Sequence, residues 1–258
     1  MTVDLHIEEG IALVTLNRPA ALNAIDYPMR RDIQALWPRL QGDPAVDVII
    51  LTGAGDKAFC VGSDLKNTPP PDTSFAQETF GAGANDSLLT GLDTDKPILC
   101  AFNGSAYGGG LELGLAADIR ICAPHAKFGL PEVRVGTLPG SGGTQHLPRL
   151  IGDSNAMYML LTGDSIDADT ALRVGLVSQV VPAAELQEAA LRIARRIRAN
   201  APLSVRAAKR LVRDGRDMPL PMALRHERQT WGLLRDTEDR KEGRAAFAEG
   251  RPPRYKGR

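Results

Sequence analysis

The chain opens on alternation. Val3, Leu5 and Ile7 take every second position, Glu8-Glu9-Gly10 supplies a turn, and residues 11–16 return as a second apolar run. Period-two spacing of this kind predicts strands with one face buried. Asp26 then stands just ahead of Pro28 and of Ile33, Leu36, Trp37 and Leu40, which fall on one helical face. An Asp followed by an early Pro is a helix start. Residues 46–51 form a β-branched apolar run and read as a buried strand. Shorter strands over 58–61, 98–102 and 119–122 make the ββ-then-helix rhythm recur, with no repeat in the sequence itself.

Residues 67–86 break this rhythm. Pro69-Pro70-Pro71 and then Gly81 and Gly83 hold no regular element, so the segment reads as a mobile surface loop. Beyond Thr162-Gly163-Asp164 the composition turns helical. Over 184–199, Leu186, Ala190, Ile193, Ala194 and Ile197 share a face, with Arg192, Arg195, Arg196 and Arg198 largely opposite. Pro202 marks a break, further helical stretches run over 205–212 and 223–234, and the tail over 251–258 is basic and irregular. A boundary near Asn200 divides an α/β core over 1–199 from a helical region over 200–258. That region is too small to own a large core and is expected to pack on the first or on another subunit.

Composition narrows the class. The 258 residues carry 31 basic and 31 acidic side chains and are 43% hydrophobic, which describes an ordinary globular chain. Balanced charge argues against nucleic acid as a partner. No apolar run approaches the ~18–20 residues that span a bilayer, and the first residues lack a basic segment followed by an apolar core. Cys60, Cys100 and Cys122 make no disulfide framework and no CxxC pair, which fits a reducing, cytoplasmic compartment.

Three segments could carry chemistry. In residues 103–114, a strand runs into Gly108-Gly109-Gly110 and opens a helix, leaving backbone N–H groups uncovered at its positive end. Glu112 lies in that helix start among Leu111, Leu113 and Leu115, where burial is expected to raise its pKa toward the range used in acid–base work. The same stretch also reads as a glycine-rich packing site with Glu112 facing the helix dipole. Glu132 follows Pro131 and precedes a long Gly/Pro turn; taken alone it reads as a surface residue or a cap, and taken with Glu112 as half of an acid–base pair. Around Gly62-Ser63, a strand ending at glycine could present the Ser63 N–H to a ligand, or be an ordinary strand exit.

Competing motifs are absent. No GxxxxGK[ST] is present, no Ser has the glycines of a nucleophile elbow, and the four histidines form no HExxH and no zinc spacing. Gly108 to Gly114 imitates a dinucleotide fingerprint without the acidic residue that should follow. Tyr107 and Trp231 read as packing residues. No metal site is expected.

These three segments, in this order, resemble the crotonase (enoyl-CoA hydratase/isomerase) superfamily. The resemblance runs from Leu16-Asn17-Arg18-Pro19 and Ala21-Leu22-Asn23-Ala24 to the neighbourhood of Phe247, and is most specific over 96–118 and 128–144. It implies a spiral of ββα units in two roughly perpendicular sheets, followed by a C-terminal helical trimerisation region. It implies an oxyanion hole made by the N–H groups of Ser63 and Gly109, and catalytic glutamates at Glu112 and Glu132. Ala24, Ala58, Gly62 and Leu65 are the further positions it implies for contact with CoA or the acyl group. Retention of both glutamates favours hydration of a 2-enoyl-CoA, or dehydration of a 3-hydroxyacyl-CoA, with an acyl-CoA thioester as substrate and no cofactor beyond it.

The family is commonly a homotrimer or a dimer of trimers. Ala20 stands where many hydratases carry Lys, and Ser63 replaces a frequent Ala, which a backbone donor tolerates. The segments over 128–132 and 247–258 also resemble carnitinyl-CoA dehydratases. A crotonase-type isomerase, a thioester hydrolase and, most distantly, an RNA-binding homologue are the competing readings.

Overall fold

The opening alternation becomes a hairpin. β1 (Val3–Glu8) and β2 (Ile11–Leu16) pair antiparallel, from Val3 opposite Leu16 to Glu8 opposite Ile11. Glu9 and Gly10 both take positive φ, 46° and 75°, in the two-residue turn whose twist suits right-handed strands. This computed structural model describes residues 2–67, 87–90, 92 and 94–258. Apart from Asn67, the segment read as a loop over 67–86 lies outside the described residues.

Helix α1 (Tyr27–Gly42) starts as its sequence predicts. The Asp26 carboxylate accepts from the Met29 amide at 2.9 Å, and Met29, Ile33, Leu36, Trp37 and Leu40 are buried along one stripe. The remaining strands are β3 (Val48–Gly53), β4 (Ala58–Cys60), β5 (Ile98–Phe102), β6 (Ser105–Tyr107), β7 (Ile119–Cys122), β8 (Lys127–Gly129), β9 (Ile166–Asp167) and β10 (Gln179–Val180). They form two sheets, ordered β1-β2-β3-β5-β7-β10 and β4-β6-β8-β9. In each of the pairs β3/β4, β5/β6 and β7/β8, the first strand joins the larger sheet and the second the smaller. Successive pairs add in parallel, so the chain advances as a spiral, as the resemblance implies.

Both faces of β3 are covered, which explains its continuous apolar run. Ile49 and Leu51 join the core against α1 and the smaller sheet, whereas Val48 and Ile50 join a second cluster with Leu186, Ala189, Ala190 and Ala194 of α6 (Leu186–Arg198). Between the sheets, Phe102 meets Phe59 and Phe128 edge-on, each with centroids 5.0 Å apart. Such pairs add about 0.5–1.5 kcal/mol each beyond their burial.

The other helices are α2 (Gly109–Leu115), α3 (Gly143–Ile151), α4 (Asp153–Thr162), α5 (Ala168–Arg173), α7 (Pro202–Gly215), α8 (Leu220–Leu234) and α9 (Glu238–Glu249). Three features depart from the reading of the sequence. β9 and β10 interrupt the stretch read as helical; at two residues each, they are too short to show a period. Helix α9 was not foreseen, because its polar and charged composition offers only a faint apolar stripe. Trp231 is 57% exposed with the Arg235 guanidinium over its ring, rather than packed in this chain.

The irregular tail is fastened to α9. The Lys256 and Gly257 amides donate to Asp239, the Arg254 amide donates to Glu242, and Arg251 pairs with Glu242 and Glu249. Helix α7 is fastened to the core through Lys209, which pairs with Asp118 at 2.7 Å and donates to the Lys96 carbonyl.

Candidate active site

The first wall of the site is the exit of β4. Gly62 takes φ 89°, which a residue with a Cβ rarely adopts, and turns the chain toward α2. Ser63 then forms a parallel bridge with Ile25, made by the Ile25 amide to the Gly62 carbonyl and the Asp64 amide to the Ile25 carbonyl. In that pattern the Ser63 N–H points away from Ile25. It donates to no backbone acceptor among the described residues. Arg18 pins the bridge from behind: its guanidinium contacts Asp26 at 3.2 Å and Asp64 at 3.3 Å, and also donates to the Ala24 carbonyl. The Asn67 amide, followed by Arg18, holds the Asp64 carboxyl below the usual range.

The second wall is the start of α2. Gly108 caps the helix at φ 51°, and Gly109 is its first residue, whose N–H has no acceptor within the helix. A Cβ on Gly62 would stand 3.3 Å from the Gly109 nitrogen, so the two glycine turns lie against one another. A Cβ on Gly110 would stand 2.3 Å from the Cys60 carbonyl oxygen, which is why α2 can lie directly on β4. One turn on, Glu112 is buried, 3% exposed. Its Oε1 accepts from the Ser141 amide at 2.6 Å and the Gly143 amide at 2.8 Å. Burial pushes its carboxyl above the ordinary range; the Gly143 and Ser141 amides, and more weakly the Arg30 charge, pull it back.

The third wall is a turn of 3₁₀ helix, Pro131–Val135. Glu132 lies in it with Oε1 toward Gly108, 3.1 Å from where a Cβ there would be. Its Oε2 is buried and accepts from no described group. Burial raises this carboxyl too; its own backbone amide lowers it and the charge of Glu112 adds to the rise. Arg134 ties the turn to the end of α4, donating to the Thr162 carbonyl at 3.1 Å and pairing with Asp164.

A cavity of about 580 Å³ runs between these walls. Ser63, Gly109, Glu112 and Glu132 all line it, as do Gly62 and Leu65. Ala24 and Ala58 are buried and are not among its lining residues. Two residues whose amides have no described backbone acceptor and two acids with raised pKa values thus line one recess, a set suited to moving protons beside a developing oxyanion. Among the described residues, no group of three or more His, Cys, Asp and Glu could hold a metal ion.

The sequence reading missed the amides of Ser141 and Gly143, and the cavity residues Arg30 and Arg134. The former carried a usable signal: a glycine-rich turn before a helix, the same feature that marked Gly108 to Gly110. A single arginine carries none.

The family model for enoyl-CoA hydratase/isomerase matches residues 6–258. (E)-Benzylidenesuccinyl-CoA hydratase of Thauera aromatica is 48% identical over 257 residues, covering 100% of both chains. Crotonyl-CoA hydratase of Syntrophomonas wolfei is 40% identical over 251 residues, covering 97% of this chain and 96% of its own. Among solved structures, an enoyl-CoA hydratase from Bacillus anthracis superposes with a TM-score of 0.92 at 36% identity, covering 100% of both chains.

Proposed function

The chain belongs to the enoyl-CoA hydratase/isomerase family and is an enoyl-CoA hydratase, and on that premise we propose how its residues divide the reaction. The thioester carbonyl of a 2-enoyl-CoA lies between the N–H groups of Ser63 and Gly109. Adding water across C2–C3 places negative charge on that oxygen, and a fixed donor there stabilises the transition state by about 3–4 kcal/mol. Glu112, ionised, takes a proton from the water attacking C3. Glu132, protonated, delivers a proton to C2. The reverse dehydration uses the same groups with the roles exchanged. This scheme needs no cofactor beyond the CoA of the substrate.

The observation that supports the reading is that Ser63, Gly109, Glu112 and Glu132 all line one cavity. The test is the loss of enoyl-thioester absorbance with crotonyl-CoA, for the parent protein and for Glu112→Gln and Glu132→Gln. Full activity in either variant removes the role assigned to that residue.

The region over 200–258 is proposed as the oligomerisation surface of a homotrimer or a dimer of trimers. Leu220, Met222, Leu224, Leu233 and Phe247 stand exposed on α8 and α9, where a second copy would cover them. A cytoplasmic location is proposed from the three free, buried cysteines. No described helix is long and apolar enough to cross a membrane.

A further inference from the structure

Arg18 touches both sides of the bridge that orients Ser63. The Ile25 amide donates to the Gly62 carbonyl at 2.8 Å, and the Asp64 amide donates to the Ile25 carbonyl at 2.9 Å. Those two bonds fix how the segment is rotated about its own axis, and with it the direction of the Ser63 N–H. Asp26 follows Ile25, and Asp64 follows Ser63. One nitrogen of Arg18, Nη2, lies 3.2 Å from Asp26 Oδ2 and 3.3 Å from Asp64 Oδ2. Its Nη1 donates to the Ala24 carbonyl, and its backbone amide donates to Asn23 Oδ1 at 2.9 Å. Asn67 Nδ2 and the Lys66 amide also donate to Asp64, at 2.9 Å and 3.3 Å, but from within its own turn. Arg18 joins that turn to the segment opposite.

We propose that Arg18 is a positioning residue for the oxyanion hole, acting through the Ser63 amide by clamping Asp26 to Asp64. This rests on the hydratase reading above and deepens it. The side chains of Arg18, Asp26 and Asp64 are 20%, 17% and 10% exposed, so water screens their attraction only in part. Two carboxylates that share one nitrogen repel each other once it is gone. That repulsion drives Asp26 from Asp64, the direction that parts Ile25 from Ser63 and turns the Ser63 N–H.

A donor stabilises an oxyanion only at hydrogen-bond distance from the place where the charge develops. A misplacement on the order of 1 Å costs about 10²-fold in rate. The cost falls on the transition state more than on bound substrate, so it appears in kcat. A lysine keeps the charge at this position but lacks the rigid fork that reaches several acceptors at once.

The test pairs turnover of crotonyl-CoA with the infrared carbonyl band of bound butanoyl-CoA, isotope-labelled at its carbonyl and without a double bond to hydrate. In the parent, the band is expected below its position in water, because fixed donors draw charge onto the oxygen. Arg18→Gln is expected to lower kcat by about 10–100-fold and to return the band part of the way toward water, with the dissociation constant of butanoyl-CoA little changed. Adding Asp64→Asn to Arg18→Gln removes the repulsion and is expected to recover part of both. Arg18→Lys is expected to lie between the parent and Arg18→Gln. A fall in kcat with the band unmoved, or no recovery in the double variant, overturns the proposal. Should Arg18→Gln fail to fold, the band in Arg18→Lys decides: a shift toward water supports the proposal, and an unmoved band overturns it. A parent that shifts the band without hydrating crotonyl-CoA overturns the hydratase reading alone. A parent that leaves the band at its position in water overturns the oxyanion hole and this proposal with it.

Discussion

The Gly143 amide, in the first turn of α3, donates to Glu112 Oε1 at 2.8 Å. With the Ser141 amide at 2.6 Å, it fixes two donors on one oxygen of a buried acid. Burial favours the protonated acid and the donors favour the anion; burial is the larger influence. The geometry therefore holds Glu112 in one orientation while leaving its proton removable.

Glu112→Gln keeps the shape and removes the ionisation. The folded pKa lies above the unfolded one, so below about pH 4 both states keep the proton and nothing is lost. As pH rises from there toward the raised folded value, the unfolded chain ionises first and the fold loses stability relative to it. The variant is expected to melt above the parent at about pH 8, with the difference vanishing near pH 4, and to lose hydration activity by about 10²–10⁴-fold. Thermal melts across this range check the first part; equal melting temperatures throughout would contradict a raised Glu112 pKa.

Both acids are raised, and the roles proposed for them are opposite. Activity should climb with pH as the pair first ionises and fall as the second proton leaves, with both limbs above the ordinary carboxylate range. The two limbs belong to the pair as a unit. Glu132→Gln cannot ionise at that position, so its residual activity should keep the rise and lose the fall. A kcat/KM profile of both proteins decides this.

Gly109 and Gly110 are neighbours with different reasons for lacking a side chain. A Cβ at Gly110 would meet the Cys60 carbonyl oxygen, a backbone atom, at 2.3 Å. Gly110→Ala is expected to cost about 1–3 kcal/mol or more in unfolding free energy. At Gly109 the nearest atoms are Leu88 Cδ2 at 3.6 Å and Ile25 Cδ1 at 3.8 Å, ordinary contacts on the cavity wall. Gly109→Ala should fold within about 0.5 kcal/mol of the parent yet lower kcat/KM, because the methyl occupies substrate space. Denaturant melts paired with the crotonyl-CoA assay separate the two.

Leu233 is 79% exposed and Phe247 90% exposed. Replacing Leu233 by Lys and Phe247 by Glu together should shift the protein to a smaller mass in light scattering behind size exclusion. An unchanged mass would move the oligomer contact elsewhere.

Much of this arrangement was legible in the chain, and for identifiable reasons. β5 and β7 fell where their apolar runs lie, and α1 started at its Asp cap and proline. The glycine turn before Glu112 announced itself because consecutive glycines have few uses besides close approach. What stayed hidden depends on contacts between segments far apart in sequence. Nothing local to Arg18 indicates that it braces Asp26 and Asp64 behind Ser63, and nothing local to Ser141 indicates that its amide reaches Glu112. Helix α9 escaped because a charged helix fastened by Asp239 and Glu242 to the tail over 251–258 needs little apolar surface.

The alternation of strands between two sheets has a kinetic corollary. Ser63 leaves β4, Glu112 follows β6, Glu132 follows β8, and the amides on Glu112 precede α3, so each piece arrives on a different lap of the chain. Contacts this remote in sequence close late in folding, after the local hairpin and helices have formed. A refolding chain should therefore regain its far-ultraviolet helical signal well before it turns over any thioester, and the lag between the two is a direct clock for completion of the final lap.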